Sequence, residues 1–277
     1  MTALTAGTAL PPATRRAGLT GSVRSEWTKI RSVRSTLWSI LAMAGIAIGL
    51  NAVINYFSIT QRWDTMPADE QARILQSPLS DILAGPMSVA QFAVAVIGVM
   101  AISAEYATGM IRSTLQAQPR RLTMLGAKLA VLGALMFVVG EALSFGAFFV
   151  GKLVIGANVP IELGDPGVLR AVFGAGLYIT VLALFSFSFA LILRHTAGAI
   201  TAVLGLLLIV SQLTSLLPGT VGRHIHAWMP NNAGYLILEP HPDPSELLTP
   251  WQGLGVFIGW TVLLLLFGAY LLRRRDA

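Results

Sequence analysis

Ionisable side chains are scarce in this chain, 12% of 277 residues, so each one inside an apolar run raises a chemical question. Glu141 is the clearest case, lying in Val138-Val139-Gly140-Glu141-Ala142-Leu143. A charge at such depth in a bilayer costs several kcal/mol unless it is paired, wet or protonated, so Glu141 should face a bundle interior or a cavity. Three roles fit: a neutral carboxyl hydrogen-bonded between helices, a wall of a substrate pathway, or a proton relay. Gly133, Gly140 and Ser144 fall near it at helical spacing, a small-residue seam suited to close packing. Asn51 and Asn55, at i and i+4, form a second polar stripe that either joins helices or lines a pathway.

Other chemistries lack their residues. With no cysteine, thiol catalysis and Cys-based metal sites are excluded. His224, His226 and His241 share one stretch between Pro218 and Pro250, but the third is remote and no metal site is assigned. Gly126-Ala127-Lys128-Leu129 lacks the preceding glycine, the strand and the hydroxyl residue of a phosphate-binding loop. An intramembrane protease or acyltransferase would need polar groups clustered at one depth, and Glu141 has no such neighbour in the sequence. No catalytic residue is assigned.

The elements that position these residues are set by hydropathy. Apolar types make up 55% of the chain, which points to lipid as the solvent. Runs long enough to cross about 30 Å of hydrocarbon occur at residues 36–56, 86–104, 125–150, 169–193, 197–217 and 251–272. An all-α protein of six transmembrane helices is predicted, the fourth and fifth divided by so short a polar break, Arg194-His195-Thr196, that a kink is the alternative. Gly45-x3-Gly49 and Gly255-x3-Gly259 suit helix packing in lipid. Lys and Arg collect on one side of this layout, including Arg24, Lys29, Arg31, Arg112, Arg120, Arg121, Lys128, Arg194 and Arg273, whereas the opposite loops are neutral or acidic. The bias places both termini in the cytoplasm and assigns the net charge of +6 to membrane anchoring, with no nucleic-acid partner.

Residues 1–22 read as a disordered cytoplasmic tail and 273–277 as a short basic one. Between them and the first span, Val23, Trp27 and Ile30 recur at helical spacing amid Arg24, Lys29 and Arg31, predicting an amphipathic interfacial helix over 23–35; a helical extension of the first span is the alternative. The loop from Ala104 to Arg121 is too patterned for a turn. Ile111 and Leu115 share a face, Glu105 and Arg112 lie two turns apart, and Pro119 stops the helix.

Glu105, Thr108-Gly109, Ile111-Arg112, Thr114-Leu115, Pro119-Arg120-Arg121 and Lys128 resemble the second intracellular segment of the ATP-binding-cassette (ABC) type-two permeases, a family with bacterial members. Ser25-Glu26-Trp27-Thr28-Lys29-Ile30-Arg31-Ser32 and Trp228-Met229-Pro230-Asn231-Asn232-Ala233-Gly234 are similar to segments of the same family, so the resemblance covers nearly the whole chain. It implies a permease subunit in a bacterial cytoplasmic membrane, paired as a homodimer or heterodimer with another permease. ATP and Mg would be bound by a separate ATP-binding subunit, with no cofactor on this chain. The loop after the second span would be a coupling helix, with Glu105, Gly109, Arg112, Arg120 and Arg121 transmitting movement of the ATPase, although Arg120 and Arg121 could equally be charge anchors. Export of a small amphipathic or hydrophobic substrate is the implied direction. A secondary transporter or membrane scaffold working without an ATPase is the alternative.

Overall fold

In hydrocarbon every backbone N–H and C=O must be satisfied within the chain, and long apolar helices do so one turn at a time. The computed structural model describes residues 19–32, 34–117 and 120–274, without the side chains of 19, 30, 32, 34–37, 112, 115 and 117. It contains no strand among these residues. Six helices are long and apolar enough to cross a membrane, spanning Trp38–Thr60, Pro78–Ala107, Arg121–Ile155, Val168–Leu193, Thr196–Leu216 and Pro250–Arg274. The chain is an all-α, multi-pass membrane protein.

The order is α1 (Leu19–Ser32), α2 (Arg34–Asn55), which continues as a π-helical turn to Thr60, α3 (Ala68–Gln76), α4 (Pro78–Ala107), α5 (Met110–Ala117), α6 (Arg121–Ile155) and α7 (Val168–Leu193). Then come α8 (Thr196–Leu204), prolonged by π, α and 3-10 turns to Leu216, followed by α9 (Gly219–Ala227), α10 (Pro230–Tyr235) and α11 (Pro250–Arg274). The first helix starts at Leu19, inside the segment expected to be disordered; residues 1–18 and 275–277, to which the rest of the two tails was assigned, lie outside the described residues.

The second membrane helix starts at Pro78 instead of Pro86. Pro78 sits in the first turn, where its missing N–H costs nothing, but Pro86 is interior and leaves the carbonyl of Ile82 without its helical donor. Asn51 supplies one. Its Nδ2 donates to Ile82 O at 3.1 Å, and the Nδ2 of Asn55 donates to Asp81 O at 2.9 Å. A side chain at Gly85 would collide with Asn51, so the glycine makes the room in which this repair is done. The asparagine stripe therefore joins α2 to α4.

The break at 194–196 is a true turn and not a kink. Arg194 adopts a left-handed φ of 54° at the end of α7, and His195 caps α8 by accepting the Gly198 N–H on Nδ1 at 3.0 Å. This reverses the chain and lets α8 run back beside α4 and α7.

The centre of the bundle is α7, packed against α4, α6 and α11. Of its most apolar stretch 61% is buried, against 17% for the first span, which is left on the periphery. The small-residue seam of α6 faces α7: Gly140 closes on the Gly176 backbone and Ser144 Oγ donates to Val172 O at 2.5 Å. By contrast, Gly45, Gly49, Gly255 and Gly259 meet open space, so neither glycine pair packs anything inside the chain.

Contacts across loops distinguish two ends. At the basic end Arg121 Nη1 donates to Leu272 O at 2.6 Å and Arg194 lies over the Tyr106 ring at 5.2 Å. At the acidic end Thr60 bonds Val154 O, Ser80 bonds Glu239, and Arg170 Nη2 holds the carbonyls of Glu239 and Pro240.

Candidate functional site

Four charged residues from three elements close into a ring at the basic end. Lys128 Nζ, on the second turn of α6, donates to Glu105 Oε1 at 2.6 Å and to Glu26 Oε2 at 2.8 Å. Lys29 Nζ, on α1, donates to Glu26 Oε1 at 2.7 Å and to Glu105 Oε1 at 3.0 Å. Positive and negative groups alternate, so the ring is neutral and each carboxylate faces two ammonium groups. Such a cluster is tolerable away from water only when complete, since the Coulomb attraction must offset the loss of hydration of every member. The Lys128 and Glu105 side chains are only 4% and 8% exposed, whereas Lys29 is 37% exposed and forms the solvent edge.

The electrostatics follow from this geometry. Burial pushes the Glu26 carboxyl up, but Lys128 and Lys29 more than offset it and hold the group below the ordinary carboxylate range. Burial lowers the Lys29 ammonium, and its bonds to Glu26 and Glu105 more than reverse that, keeping it above the usual lysine range.

The local sequence explains why these residues meet. Glu26 and Lys29 share a face of α1 at i and i+3, the side turned toward α6. Trp27, Arg24 and Arg31 remain exposed on α1. Glu105 occupies the last turn of α4 and Lys128 the second turn of α6, so the two residues bracket α5. The chain passes from α4 into α5 through Gly109, whose φ of +70° is a conformation other residues rarely adopt. Ile111 then anchors α5 to the core, only 3% exposed, while Met110, Ser113 and Gln116 are exposed on its outer side.

Between α1, α5 and the start of α6 lies a half-open cleft of about 340 Å³ lined by Ser22, Ser25, Glu26, Lys29, Ser113 and Thr114 among others. It exposes hydroxyls above the ring.

The residues assigned to coupling therefore divide. Glu105 is buried at 6% within the ring, its carboxylate held by Lys29 and Lys128, and offers little surface to a docking protein. Arg120 is exposed beside α5, and Arg121 spends one guanidinium nitrogen on the last turn of α11, where unpaired helix carbonyls accept it. Arg112 lies on α5, but its side chain, like that of Leu115 and all of Pro119, lies outside the described residues.

Glu141 is placed apart from all of these. Both its oxygens are buried without a hydrogen-bond partner among the described residues, its carboxyl resting against Gly176 of α7. The interhelical hydrogen bond expected of it is not formed; the glycine offers the carboxyl space and no partner.

Sequence reasoning took Lys29 and Lys128 as part of a general positive bias and gave Glu26 no role beyond the resemblance. A sharper signal was present: Glu26 and Glu105 are the only carboxylates at the basic end among the described residues. A lone acid in a field of arginines is a candidate for an internal ion pair. No family model and no curated protein matches the chain.

Proposed function

We propose that this chain is the membrane-spanning subunit of an ATP-driven transporter of the ABC type-two class, with a separate ATP-binding subunit docking on α5 at the basic end. The observation that carries the reading is the ionic ring beneath α5. A helix that receives a push from a motor must pass it on to the bilayer, and the last turn of α4, from which α5 follows through Gly109, is tied to α1 and α6 by charge-assisted hydrogen bonds from Lys29 and Lys128 to Glu105, while Lys128 also joins α6 to Glu26 of α1. In this reading a displacement of α5 reaches α1 and α6 through the end of α4. The exposed Met110, Ser113 and Gln116 form the face that meets the partner, and Arg112 and Arg120 supply cations for acidic or carbonyl groups on it.

In this reading ATP and Mg belong to the partner, two permease chains form the pathway, and both termini lie in the cytoplasm of a bacterium. Export is the direction implied by the resemblance. The test is co-expression with candidate ATP-binding subunits from the same genome. The two chains are expected to co-purify, with ATPase activity raised when the permease is reconstituted in lipid. An absence of assembly, with transport by the chain alone on an ion gradient, would replace the proposal with a secondary transporter.

A further inference from the structure

Glu141 stands about 20 Å along α6 from Lys128 and about 16 Å from Lys152, at roughly 1.5 Å per residue, which puts it near the mid-plane of a hydrocarbon core about 30 Å thick. Both carboxyl oxygens are enclosed, and neither has a hydrogen-bond partner among the described residues. The nook that holds them is made by a missing side chain: a Cβ on Gly176 of α7 would stand 2.5 Å from the carboxyl carbon. One residue earlier on α6, a Cβ on Gly140 would stand 2.6 Å from the Gly176 carbonyl oxygen, so the seam between α6 and α7 is closed backbone to backbone at this depth.

Every ionisable group on the elements packed against α6 is placed or committed elsewhere. On α6 itself Arg121 holds Leu272 O, Lys128 belongs to the ring and Lys152 bonds Glu162 at 2.6 Å. On α7, Arg170 is turned onto the carbonyls of Glu239 and Pro240, and Tyr178 onto Gln91 and Asn231. Between Asp81, which lies 3.7 Å from Arg73, and Glu105, in the ring, α4 has no ionisable residue, and Tyr106 lies under Arg194. The α2 helix has none after Arg34, and Tyr56 in the turn beyond it accepts from Gln61. Those of α1 lie at the level of the ring, and Tyr270, Arg273 and Arg274 fall in the last turns of α11. Glu141 thus has no cation to meet in the closed seam.

We infer that Glu141 is a proton-binding site at mid-membrane: its carboxyl holds a proton while α6 and α7 are packed together and releases it to water when the two helices part. Ionised in the closed seam, the group would be an unpaired charge out of reach of water, which costs far more than a neutral carboxyl in the same place. Hydration of the carboxylate needs space that the Gly140 and Gly176 backbones now occupy. On release the O–H bond breaks, its electron pair stays on the carboxylate and the proton passes to water. Linkage makes the coupling reciprocal, so removing the proton favours the open seam and restoring it favours the closed one. The exchange of a proton in each transport cycle rests on the proposed function, but proton binding itself does not.

The experiment uses the full chain alone in lipid nanodiscs. Infrared difference spectra of wild type minus Glu141→Gln are expected to show the C=O stretch of a carboxylic acid at neutral pH, replaced by carboxylate bands at alkaline pH. Carboxylate bands already present at neutral pH would overturn the inference. The opening is read by Ser144→Cys, a seam position one turn from Glu141 whose thiol reports alone because the sequence has no cysteine. Its alkylation by a water-soluble maleimide is expected to be equally slow with Glu141 and with Glu141→Gln at neutral pH. Where the acid band has gone, it should be about tenfold or more faster with Glu141 than with Glu141→Gln at the same pH. Equal rates at every pH would overturn the coupling of proton and seam. Should Glu141→Gln fail to insert, Gly176→Ala carries the test: its methyl takes the space of the carboxyl and is expected to shift or abolish the acid band, and an unchanged band would overturn the inference. Assembly with an ATPase enters none of these measurements, so this inference and the proposed function can fail independently.

Discussion

Lys128 shows how little a residue's charge says about its job until its neighbours are known. By type it is one more cation at a basic membrane face; by position it is the buried centre of a ring, in contact with both carboxylates. Replacing it with methionine would leave Glu26 and Glu105 short of their buried cation, and the loss of one partner from such a cluster costs about 3–5 kcal/mol. Lys128→Met is therefore expected to lower the thermal unfolding midpoint of the detergent-solubilised chain. Lys128→Met combined with Glu26→Gln and Glu105→Gln should recover much of the loss, because no buried carboxylate is then stranded and the remaining cation, Lys29, lies at the solvent edge. A triple variant no more stable than the single one would count against the ring. The pH dependence has a definite sign. Glu26 is held below its ordinary 4.5, so its contribution is present above that value and disappears as pH falls through the depressed one. Lys29 is held above its ordinary 10.5, so its contribution is present below that value and disappears as pH rises through the elevated one. Between about pH 5 and 10 neither group changes protonation in the wild-type ring, so the wild-type stability should not vary with pH through these two groups.

Among the elements, α5 carries the functional argument and α4 the lesson in reading. The sequence pattern predicts a short helix in the loop from Ala104 to Arg121, stopped by Pro119; Gly109 and its positive φ separate that helix from α4. It could not show that Glu105 turns inward, because one helical residue beside a glycine can face either the bundle or the solvent until α1 and α6 are placed. Reversing Arg112 to Glu is expected to leave insertion intact and to cut ATPase stimulation by about tenfold or more, since a like charge would meet whatever acidic group receives the arginine. Measured transport at the wild-type rate would dismiss α5 as the contact. In α4 the start at Pro86 was misplaced because an interior proline usually ends a helix. Here the Asn51 amide, from another helix, satisfies the carbonyl that the proline releases, and a contact between residues 51 and 82 is invisible to any local pattern.

At the scale of the whole molecule the alternation of basic and acidic ends sets an orientation that is open to a direct measurement. A protease-cleavable tag after Ala277 is expected to be cut only when cells are opened, because α11 ends at the basic face beside Arg121. Cleavage on intact cells would put the ring and α5 outside, out of reach of any cytoplasmic ATPase. The number of spans, their helical nature and the segregation of arginine were determined by the sequence alone. The reason is that length and hydropathy against a bilayer of known thickness leave one class of solution. The tertiary structure alone decided which ionisable groups meet, since hydrogen bonds such as those from Lys128 to Glu26 and from Tyr178 to Asn231 join residues far apart in the chain. It likewise left Glu141 without a hydrogen-bond partner among the described residues and turned both glycine pairs away from the core. Side-chain partners depend on how helices rotate and stack against one another, and that rotation is set by the packing of all of them together.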